Sequence, residues 1–587
     1  MNILENIKRL NIKKFTDKEV FYYISKYLIF FLIIILPFYF LPNTTSFTLV
    51  NKIFISSILL FLAFICYISF TLINKQIRLP NKIIFSSIVL FLIIAFLSSF
   101  LSKAKYYSLY GLLSSSHSFL AYLLYFITFL LVFITFNRED LKILLIVLLF
   151  IFFFANILTI LSLFQKPLFQ VGIYFVGSLS DLVVFTGLGL LFSMLILFNK
   201  NYLKESLKNK YTFYIAIIIS ILNLIFSTFI LIVLNFTGVW IILVFSFLVL
   251  LFYKHYKYTP LDKESIFLIF SLIIILIAFM FSPYLNLLIN KFYRIPPLLE
   301  SKPNLNLTLD IAINSIRENI KNAIIGIGPN LFLYSWLRYK PIFLSQFLIR
   351  FDQGFSFILT TLAELGLLGF FVFLFFIFYI ILYSVNKLEQ TETKILYLLS
   401  LFLVLSLFYY PLGFVNGIYL FFLLGLLISS DKDSTWHLNF HDKKIKKISS
   451  FVICIILILS LVYGMYLISS KYLANIFYTK GILQFQNNNL DNAINNVIIS
   501  IYLDTTSDLY YRDLSFLIIQ DLIRKTQNIS TSTPGIQQYV LNSLSTAINY
   551  ANTAVLLNPI EPLNYSNLAN IYQNVGINNP QILSLVE

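Results

Sequence analysis

Two carboxylates in the sequence are placed where they could accept a proton. Asp352 lies just before an apolar run that starts near Phe355, and Glu364 lies about two and a half helical turns inside that run. A carboxylate at that depth is costly, and it is expected to face the interior of a helix bundle beside a partner. Asp352 and Glu364 are therefore the candidate catalytic residues, and a structural ion pair is an equally good interpretation of Glu364.

Basic and aromatic residues are mixed in the stretch from Trp336 to Gly354, and this mixture suits a phosphate group. Arginine offers a planar fork of donors that matches phosphate oxygens, and aromatic rings favour lipid headgroups or the face of a sugar. The candidate pyrophosphate ligands in this stretch are Arg338, Lys340 and Arg350. Ordinary anchoring at a membrane surface explains the same composition equally well.

One helix with an apolar side is predicted between Leu305 and Ile324. Its apolar residues recur at intervals of three or four, at Leu305, Leu309, Ile313, Ile316, Ile320 and Ile324. We expect this helix to lie on a membrane surface with its polar face in water. The alternative is that Arg317 on the polar face contacts a substrate, which adds Arg317 to the candidate ligands.

A tight turn is predicted directly after this helix, at Gly326 and Gly328. The two glycines and Pro329 permit a tight backbone path. A dinucleotide-binding fingerprint is excluded because the segment lacks a third glycine and a preceding strand. Gly326 and Gly328 are kept as candidate substrate-binding positions beside the basic stretch, and a simple turn is the alternative.

The remaining reactive side chains do not form a recognisable catalytic or metal site. His117 stands alone in a serine-rich loop, where a structural hydrogen bond is favoured over catalysis. His437 and His441 have the i, i+4 spacing of a helical pair but lack a third ligand. Cys66 and Cys454 lie in apolar runs, so no disulfide framework is available. Hydrolase motifs are absent, and no metal and no cofactor is expected.

The composition excludes an ordinary soluble enzyme. The chain has 587 residues, of which 59% are hydrophobic and 12% are charged, with a mean hydropathy of +0.86. Soluble domains have about 45–50% apolar and about 25% charged residues. Unbroken apolar runs of about twenty residues favour membrane helices over the alternating strands of a barrel. The predicted fold class is an all-α, polytopic membrane helix bundle.

About thirteen crossings are predicted from the apolar runs. The runs lie near 27–42, 53–73, 83–101, 119–136, 141–164, 179–198, 211–234, 236–253, 265–283, 355–384, 394–410, 412–430 and 449–470. The predicted domains are an N-terminal segment (1–26), a membrane domain (27–430) with a large loop (284–353), a basic loop (431–448), a last helix (449–470) and a C-terminal region (471–587).

The charge distribution predicts the orientation of these helices. With a cytoplasmic N-terminus, the inner segments hold 25 of the 42 Lys and Arg residues, and the short outer loops hold four. Positive residues concentrate on the cytoplasmic side of membrane proteins. We therefore expect the large loop and the C-terminal region to be extracytoplasmic. The same distribution explains most of the net charge of +16 without a nucleic-acid partner.

Two short segments resemble the signature of the O-antigen ligase and O-antigen polymerase family. They are Ala323 to Phe332 and Leu362 to Gly369, and Val176 to Asp181 is similar to the motif that opens the family's sixth helix. Asp181 could equally be a helix N-cap. The resemblance covers about residues 25–430. It implies a bundle of a dozen or so helices, with the large outer loop between the ninth and tenth.

The resemblance also implies an activity. A member of the family transfers a glycan from a polyprenyl-pyrophosphate donor to an acceptor hydroxyl at the outer face of the bacterial cytoplasmic membrane, without a metal. This chain departs from the family pattern in two places. Phe355-Ser356 stands where ligases usually carry a His-Asn pair, and Phe236 to Trp240 lacks the usual arginine. These departures leave two alternatives, which are a divergent subfamily that uses Asp352 or Glu364 as the proton acceptor and a member whose chemistry or substrate has changed.

The C-terminal region resembles tetratricopeptide repeats. Gly481 and Ala493 have the spacing of one helix-turn-helix unit, and a second trace is found at Ala547, Ala551, Ala554 and Pro559. A flexible break is predicted at 530–535. Such repeats stack helix pairs and offer a concave face. The region is either a structural cap or a module that engages a protein or glycan acceptor.

Three functions are compatible with these patterns. The leading one is a glycan ligase or polymerase that acts on a lipid-linked glycan in the membrane. The alternatives are a transporter or flippase of such lipids, and a catalytically silent scaffold that presents the repeats. A transporter is expected to show internal symmetry and polar helices near the bilayer centre. The polar residues instead concentrate in one loop, which favours the enzyme.

Overall fold

The computed structural model describes most of the chain. The described residues are 17–74, 76–164, 175–200, 204, 210–257, 263–293, 302–341, 350–385, 391–429, 435–439, 444–526 and 534–576. Parts of five predicted segments lie outside these ranges. They are 1–16 of the N-terminal segment, 294–301 and 342–349 of the large loop, 431–434 and 440–443 of the basic loop, 527–533 and 577–587 of the C-terminal region, and the short gaps within the rest of the membrane domain.

The first part of the chain is a series of apolar helices. They are α1 (Asp17–Ile35), α2 (Leu49–Asn74), α3 (Lys82–Phe100), α4 (Lys105–Tyr110), α5 (Phe119–Thr135), α6 (Arg138–Leu163), α7 (Leu179–Phe198), α8 (Lys210–Leu234), α9 (Thr237–Lys257) and α10 (Lys263–Tyr293). Short helices follow in the large loop. They are α11 (Leu305–Arg317), α12 (Ile320–Ile325) and α13 (Phe332–Tyr339).

The second part returns to long helices. They are α14 (Phe357–Val385), α15 (Thr391–Tyr409), α16 (Phe414–Ser429), α17 (Lys444–Gln486), α18 (Leu490–Leu503), α19 (Asp508–Thr526), α20 (Pro534–Leu557) and α21 (Pro562–Gly576). Within the described ranges, nine helices are long and apolar enough to cross a membrane, and three apolar helices are shorter. The chain is therefore an all-α, multi-pass membrane protein.

Two of the shorter apolar helices, α5 and α16, are enclosed by the others. Every residue of α16 is buried. The ring of Phe126 in α5 lies 4.9 Å from that of Phe421 in α16 and 5.2 Å from that of Phe376 in α14, measured between centroids. Edge contacts between aromatic rings add to the energy gained by burying their area. These helices therefore form the centre of the bundle, and the longer helices surround them.

Three helix boundaries differ from the prediction. The first helix spans Asp17–Ile35 and not 27–42, because Pro37 restricts the residue before it and ends the helix. The helix α10 continues through Pro283, where the hydroxyl of Ser282 donates to the carbonyl of Phe279 that the proline cannot reach. The third difference is α17, which extends sixteen residues beyond the predicted end at 470.

The predicted helix from Leu305 to Ile324 is in fact two helices. The chain breaks after Arg317, and the side chain of Asn319 caps α12 by accepting from the backbone of Asn322 at 2.7 Å. The buried residues of α11 are Thr308, Ile311, Ala312 and Ser315. The predicted apolar stripe is largely exposed, because four of its members, Leu305, Ile313, Ile320 and Ile324, are 39–81% exposed.

Two short strands join segments that are far apart in sequence. The strand β1 (Gln76–Pro80) pairs antiparallel with β2 (Thr435–Asn439), and Arg78 lies opposite His437. The i, i+4 spacing of His437 and His441 does not belong to a helix at His437, since His437 lies on a strand, and His441 lies outside the described residues.

The C-terminal region is built directly on a membrane helix. The helix α17 has 43 residues, which corresponds to a length of about 65 Å. Its last turns pack against α18, where a Cβ at Gly481 would lie 2.9 Å from Val497. Ala547, Ala551 and Ala554 of α20 are fully buried. The predicted break at 530–535 lies outside the described residues up to 533, and Pro534 begins α20.

Candidate functional site

Two turns of unusual backbone meet at the side of the bundle. The loop after α12 passes through Gly326 at φ 77°, and the helix α14 is interrupted at Gly366 at φ 64°. The backbone N–H of Ile327 donates to the carbonyl of Ala363 at 3.2 Å, and that of Gly328 donates to the carbonyl of Glu364 at 3.0 Å. The two segments that carry the family resemblance therefore bind each other through their backbones.

This backbone contact requires both glycines. A Cβ added to Gly326 would lie 2.1 Å from the carbonyl oxygen of Glu364, and one added to Gly366 would lie 2.6 Å from the nitrogen of Gly326. Both residues also have a φ that side chains with a Cβ rarely adopt. The tight turn predicted at Gly326 and Gly328 is confirmed, and it fits against the kink of α14.

The contact encloses the carboxylate of Glu364. Its side chain is 0% exposed, and Oε1 accepts from the backbone N–H of Phe332 at 3.2 Å, at the start of α13. The same oxygen lies 3.3 Å from Nε2 of His117. This separation is that of an ion pair, although the two groups lack the alignment of a hydrogen bond. The prediction that Glu364 faces the interior and has a partner is confirmed.

His117 is held between two segments of chain. Its Nδ1 lies 3.1 Å from Nε2 of Gln353 and 3.3 Å from the hydroxyl of Ser115. Burial on its own lowers the pKa of His117, but the nearby charge of Glu364, the charge of Asp352 and a contact with the backbone of Asp352 raise it above its usual value. The imidazole is thus adapted to carry a proton beside a carboxylate.

Several buried polar atoms around this pair have no hydrogen-bond partner among the described residues. They are Oε2 of Glu364, Nε2 of His117, Oε1 of Gln353 and the hydroxyl of Tyr122. Buried polar groups are usually hydrogen-bonded, so each such atom needs an explanation. These four unpartnered atoms are concentrated around one buried carboxylate.

The other candidate carboxylate, Asp352, is placed differently. Its side chain is exposed, and it is the backbone of Asp352 that contacts His117. Of the two predicted proton acceptors, only Glu364 lies inside the bundle. Asp352 contributes to the site by its main chain.

The predicted cationic ligands lie on the surface of the large loop. Arg338 pairs with Glu318 at 2.5 Å, and Arg350 pairs with Glu561 of the C-terminal region at 2.5 Å. Arg317 is exposed at the end of α11, and Lys340 follows α13. None of these four side chains is among the partners of Glu364 given above. Their role in binding pyrophosphate stays a prediction.

The carboxylate of Asp181 has a structural role at the start of α7. Its Oδ2 accepts from the backbone and the hydroxyl of Ser178, and its own N–H donates to that hydroxyl at 3.1 Å. This reciprocal pair is a capping box. Ser178 is the N-cap of α7 and Asp181 is the third residue of the helix, so the expectation that Asp181 is itself the N-cap is wrong, although its role at this helix start is structural.

His117 is the residue of this site that the sequence interpretation undervalued. It lies 247 positions from Glu364 in the chain, and neither motif around Glu364 contains it. One signal was present, because His117 is the single histidine of the segments predicted to be extracytoplasmic. Among the described residues, no group of three or more His, Cys, Asp or Glu side chains could hold a metal ion.

Comparison with known proteins gives no relative. No protein-family model and no curated protein significantly matches this chain. The resemblance to the O-antigen ligase and polymerase family therefore depends on the residues of the chain and on their arrangement around Glu364.

Proposed function

We propose that this protein transfers a glycan from a polyprenyl-pyrophosphate donor to an acceptor hydroxyl, as a divergent member of the O-antigen ligase and O-antigen polymerase family. The observation that carries the proposal is the meeting of its two signature-like segments around Glu364, fully buried and facing His117. Motifs that only filled space in a bundle would not need to enclose a carboxylate, which is costly to bury.

The chemistry of this transfer needs few groups. The acceptor oxygen attacks the anomeric carbon of the donor sugar, and the bond from that carbon to the phosphate oxygen breaks. The polyprenyl pyrophosphate leaves with the electron pair, and the proton of the attacking hydroxyl passes to Glu364. His117 beside Glu364 stabilises the ionised carboxylate before transfer and shares the proton afterwards. Here His117 supplies the histidine that is missing at Phe355-Ser356.

The cations for the leaving group are proposed on the large loop. Arg338, Lys340 and Arg350 belong to the basic stretch, and Arg317 ends α11. A pyrophosphate is a stronger partner for an arginine than an exposed carboxylate is. Exposed ion pairs such as that of Arg338 with Glu318 are worth about 0–1 kcal/mol, so they can exchange for a phosphate.

We also propose the orientation and the finer architecture. About thirteen crossings, with a cytoplasmic N-terminus, place the large loop and the C-terminal region outside the bacterial cytoplasmic membrane. There the helix pairs from α17 to α21 act as tetratricopeptide-like repeats that engage a protein or glycan acceptor. A flippase is less well supported, because the largest group of amide and hydroxyl side chains between the described membrane helices is closed by its own hydrogen bonds. Asn156, for example, donates to Asn223 at 2.6 Å and to Ser227 at 2.7 Å.

The test is the release of free polyprenyl pyrophosphate from a glycan-loaded lipid pool in proteoliposomes. We expect release that needs an added acceptor and that falls by a factor of about 10² or more in Glu364→Gln. The matched control is Glu139→Gln, an exposed carboxylate at the start of α6, with expected wild-type release. Loss of pyrophosphate release in Arg350→Ala would support the role of Arg350 in binding the leaving group.

Folded protein that releases no pyrophosphate with any donor and acceptor would refute the transfer reaction. Normal release by Glu364→Gln would refute the role of the carboxylate. Unchanged glycans with Arg350→Ala but altered glycans after deletion of the C-terminal region would favour the scaffold.

A further inference from the structure

The turn between α20 and α21 contacts the large loop beside the candidate site. This turn, Asn558 to Glu561, is called the docking turn here. Ile560 packs against a small apolar cluster of Ala104, Ile327 and Leu331. A small cleft between the docking turn and the loop is lined by Asn558, Ile560 and Glu561 on one side and by Asn330, Leu331 and Tyr334 on the other.

The second contact of the docking turn is an ion pair. Oε1 of Glu561 accepts from Nη2 of Arg350 at 2.5 Å, and the two side chains are 16% and 35% exposed. Glu561 is fixed at the start of α21, because the same oxygen also accepts from the backbone of Leu563 at 3.2 Å. The turn is fixed to α19 as well, since Asn558 donates to the buried carboxylate of Asp508 at 3.1 Å.

Both contacts lead to the pair of Glu364 and His117. Ile327 follows Gly326 in the turn that binds the kink of α14. Arg350 begins the segment 350–353, in which Phe351 packs edge-on against Trp336 at 4.8 Å between centroids. That segment ends at Gln353, whose Nε2 lies 3.1 Å from Nδ1 of His117 and 2.9 Å from the hydroxyl of Ser116. Only Phe351 and Asp352 therefore lie between the residue that contacts the C-terminal region and the residue that contacts the imidazole.

We propose that the docking turn is part of the machinery of this site, and that Glu561 is a positioning residue that holds segment 350–353 against His117 through Arg350. The C-terminal region then acts on the reaction itself and is more than a separate module for partners. The positioning of His117 goes beyond the proposed function. Only the test that measures the transfer rate rests on that function.

The first test measures hydrogen exchange in the full-length protein in lipid nanodiscs. The reporters are the amides of Gly354 and Phe355, which donate to Thr360 at 3.0 Å and to Thr308 at 2.9 Å. In Glu561→Gln, which keeps the oxygen that caps α21, we expect exchange at these amides to rise about two- to fivefold. A double variant that combines Arg350→Glu with Glu561→Arg re-forms the ion pair in reverse. It is expected to restore the protection of these amides from hydrogen exchange.

A matched control separates this effect from a general loosening of the C-terminal region. Asp491→Asn removes the carboxylate of another exposed pair, with Arg524 at 2.7 Å, inside the C-terminal region. It is expected to leave exchange at Gly354 and Phe355 unchanged. Ile560→Ala is expected to raise exchange at Gly328, whereas Ile548→Ala, a half-buried isoleucine within α20, is not.

The second test asks whether the contact reaches His117. The charged groups that interact with this imidazole are Glu364 and Asp352, and Tyr122 interacts with Glu364. The contact from the backbone of Asp352 raises the pKa of His117. Loosening of segment 350–353 weakens this contact and therefore lowers that pKa. We therefore expect the transfer rate of Glu561→Gln to fall about two- to fivefold, and the His117-dependent limb of its pH profile to move to lower pH.

The outcomes are distinguishable. Unchanged exchange at Gly354 and Phe355 in Glu561→Gln would overturn the proposal. Raised exchange with an unchanged rate and pH profile would also overturn it, because the contact would then be structural only. Absence of transfer by the wild type would overturn the proposed function. Hydrogen exchange at Gly354 and Phe355 in Glu561→Gln and in the reciprocal double variant would still decide whether the docking turn holds segment 350–353.

Discussion

At the scale of single residues, the site depends on one buried carboxylate and one buried imidazole. Glu364 is 0% exposed and has a backbone donor and His117 as its partners on one oxygen. An ionised carboxylate without a partner in an apolar bundle is expensive, so the nearby His117 stabilises a charge on Glu364. In the proposed reaction, the acceptor hydroxyl gives its proton to the second oxygen, which has no hydrogen-bond partner among the described residues.

The raised pKa of His117 predicts how its contribution to stability depends on pH. Because the pKa is higher in the folded protein than the value of about 6.5 in the unfolded chain, the contribution is fully present below that value. It is lost as the pH rises through the folded pKa. Thermal unfolding of wild type and His117→Gln should therefore differ most at low pH and converge at high pH. A difference that grows with pH would contradict this assignment.

The residue types around Glu364 were predictable from the sequence, and their pairing was not. The depth of Glu364 in an apolar run indicated a buried carboxylate with a partner. Nothing in the sequence between Ser114 and Ser118 indicates that His117 is that partner, because the contact depends on how α5 and α14 pack. The same holds for Arg350, whose pairing with Glu561 joins parts of the chain that are 211 residues apart.

At the scale of elements, the site depends on a helix that is broken at one residue. The helix α14 contains Gly366 at φ 64°, and this kink turns the carbonyls of Ala363 and Glu364 toward the loop after α12. The kink and the turn at Gly326 are therefore one unit, and a change in either moves the backbone that carries Glu364.

Alanine at either glycine should destabilise the protein. Strain from a positive φ costs about 1–3 kcal/mol, and the close backbone contacts add to it. We expect Gly326→Ala and Gly366→Ala to lower the midpoint of thermal unfolding in detergent by several degrees. The control is Gly464→Ala in α17, where the nearest atom to an added Cβ is a ring carbon of Phe61 at 3.1 Å. Equal midpoints for all three variants would show that the contact does not require glycine.

Element boundaries were predictable where the sequence carries a local signal. Apolar runs and Asp181 located the start of α7, and the two glycines located the turn after α12. The break between α11 and α12 was missed, because the apolar spacing continues through it while Asn319 caps a new helix. The continuity of α17 was missed because its residues beyond 470 are polar and carry the spacing of a separate repeat helix at Gly481. These residues are helical because α18 packs against them.

At the scale of the whole molecule, the C-terminal region and the membrane bundle are mechanically joined. The helix α17 belongs to both, and the docking turn returns to the large loop. Asn475 of α17 accepts from the backbone of Thr45 at 2.9 Å, so the base of the region is also fixed to the loop between α1 and α2. A region held at three places is suited to transmit the position of an acceptor to the site.

The proposed orientation predicts which side of the membrane each part reaches. In a chain with Cys66 and Cys454 replaced by serine, a single cysteine at the exposed Asn549 of α20 should react with a membrane-impermeant maleimide in intact cells. A single cysteine at the exposed Glu139 should react only after the membrane is opened. The reverse pattern would contradict the orientation, and reaction of both in intact cells would contradict the number of crossings between them.

The central claim is that Glu364 and His117 act together in glycan transfer, and a double-mutant cycle of transfer rates tests it most directly. The rates of wild type, Glu364→Gln, His117→Gln and the double variant are measured in proteoliposomes, each with protein shown to be folded. Residues that act as a unit are strongly non-additive. We expect the double variant to be no slower than Glu364→Gln within about threefold. Independent effects that multiply, or normal transfer by either single variant, would contradict the claim.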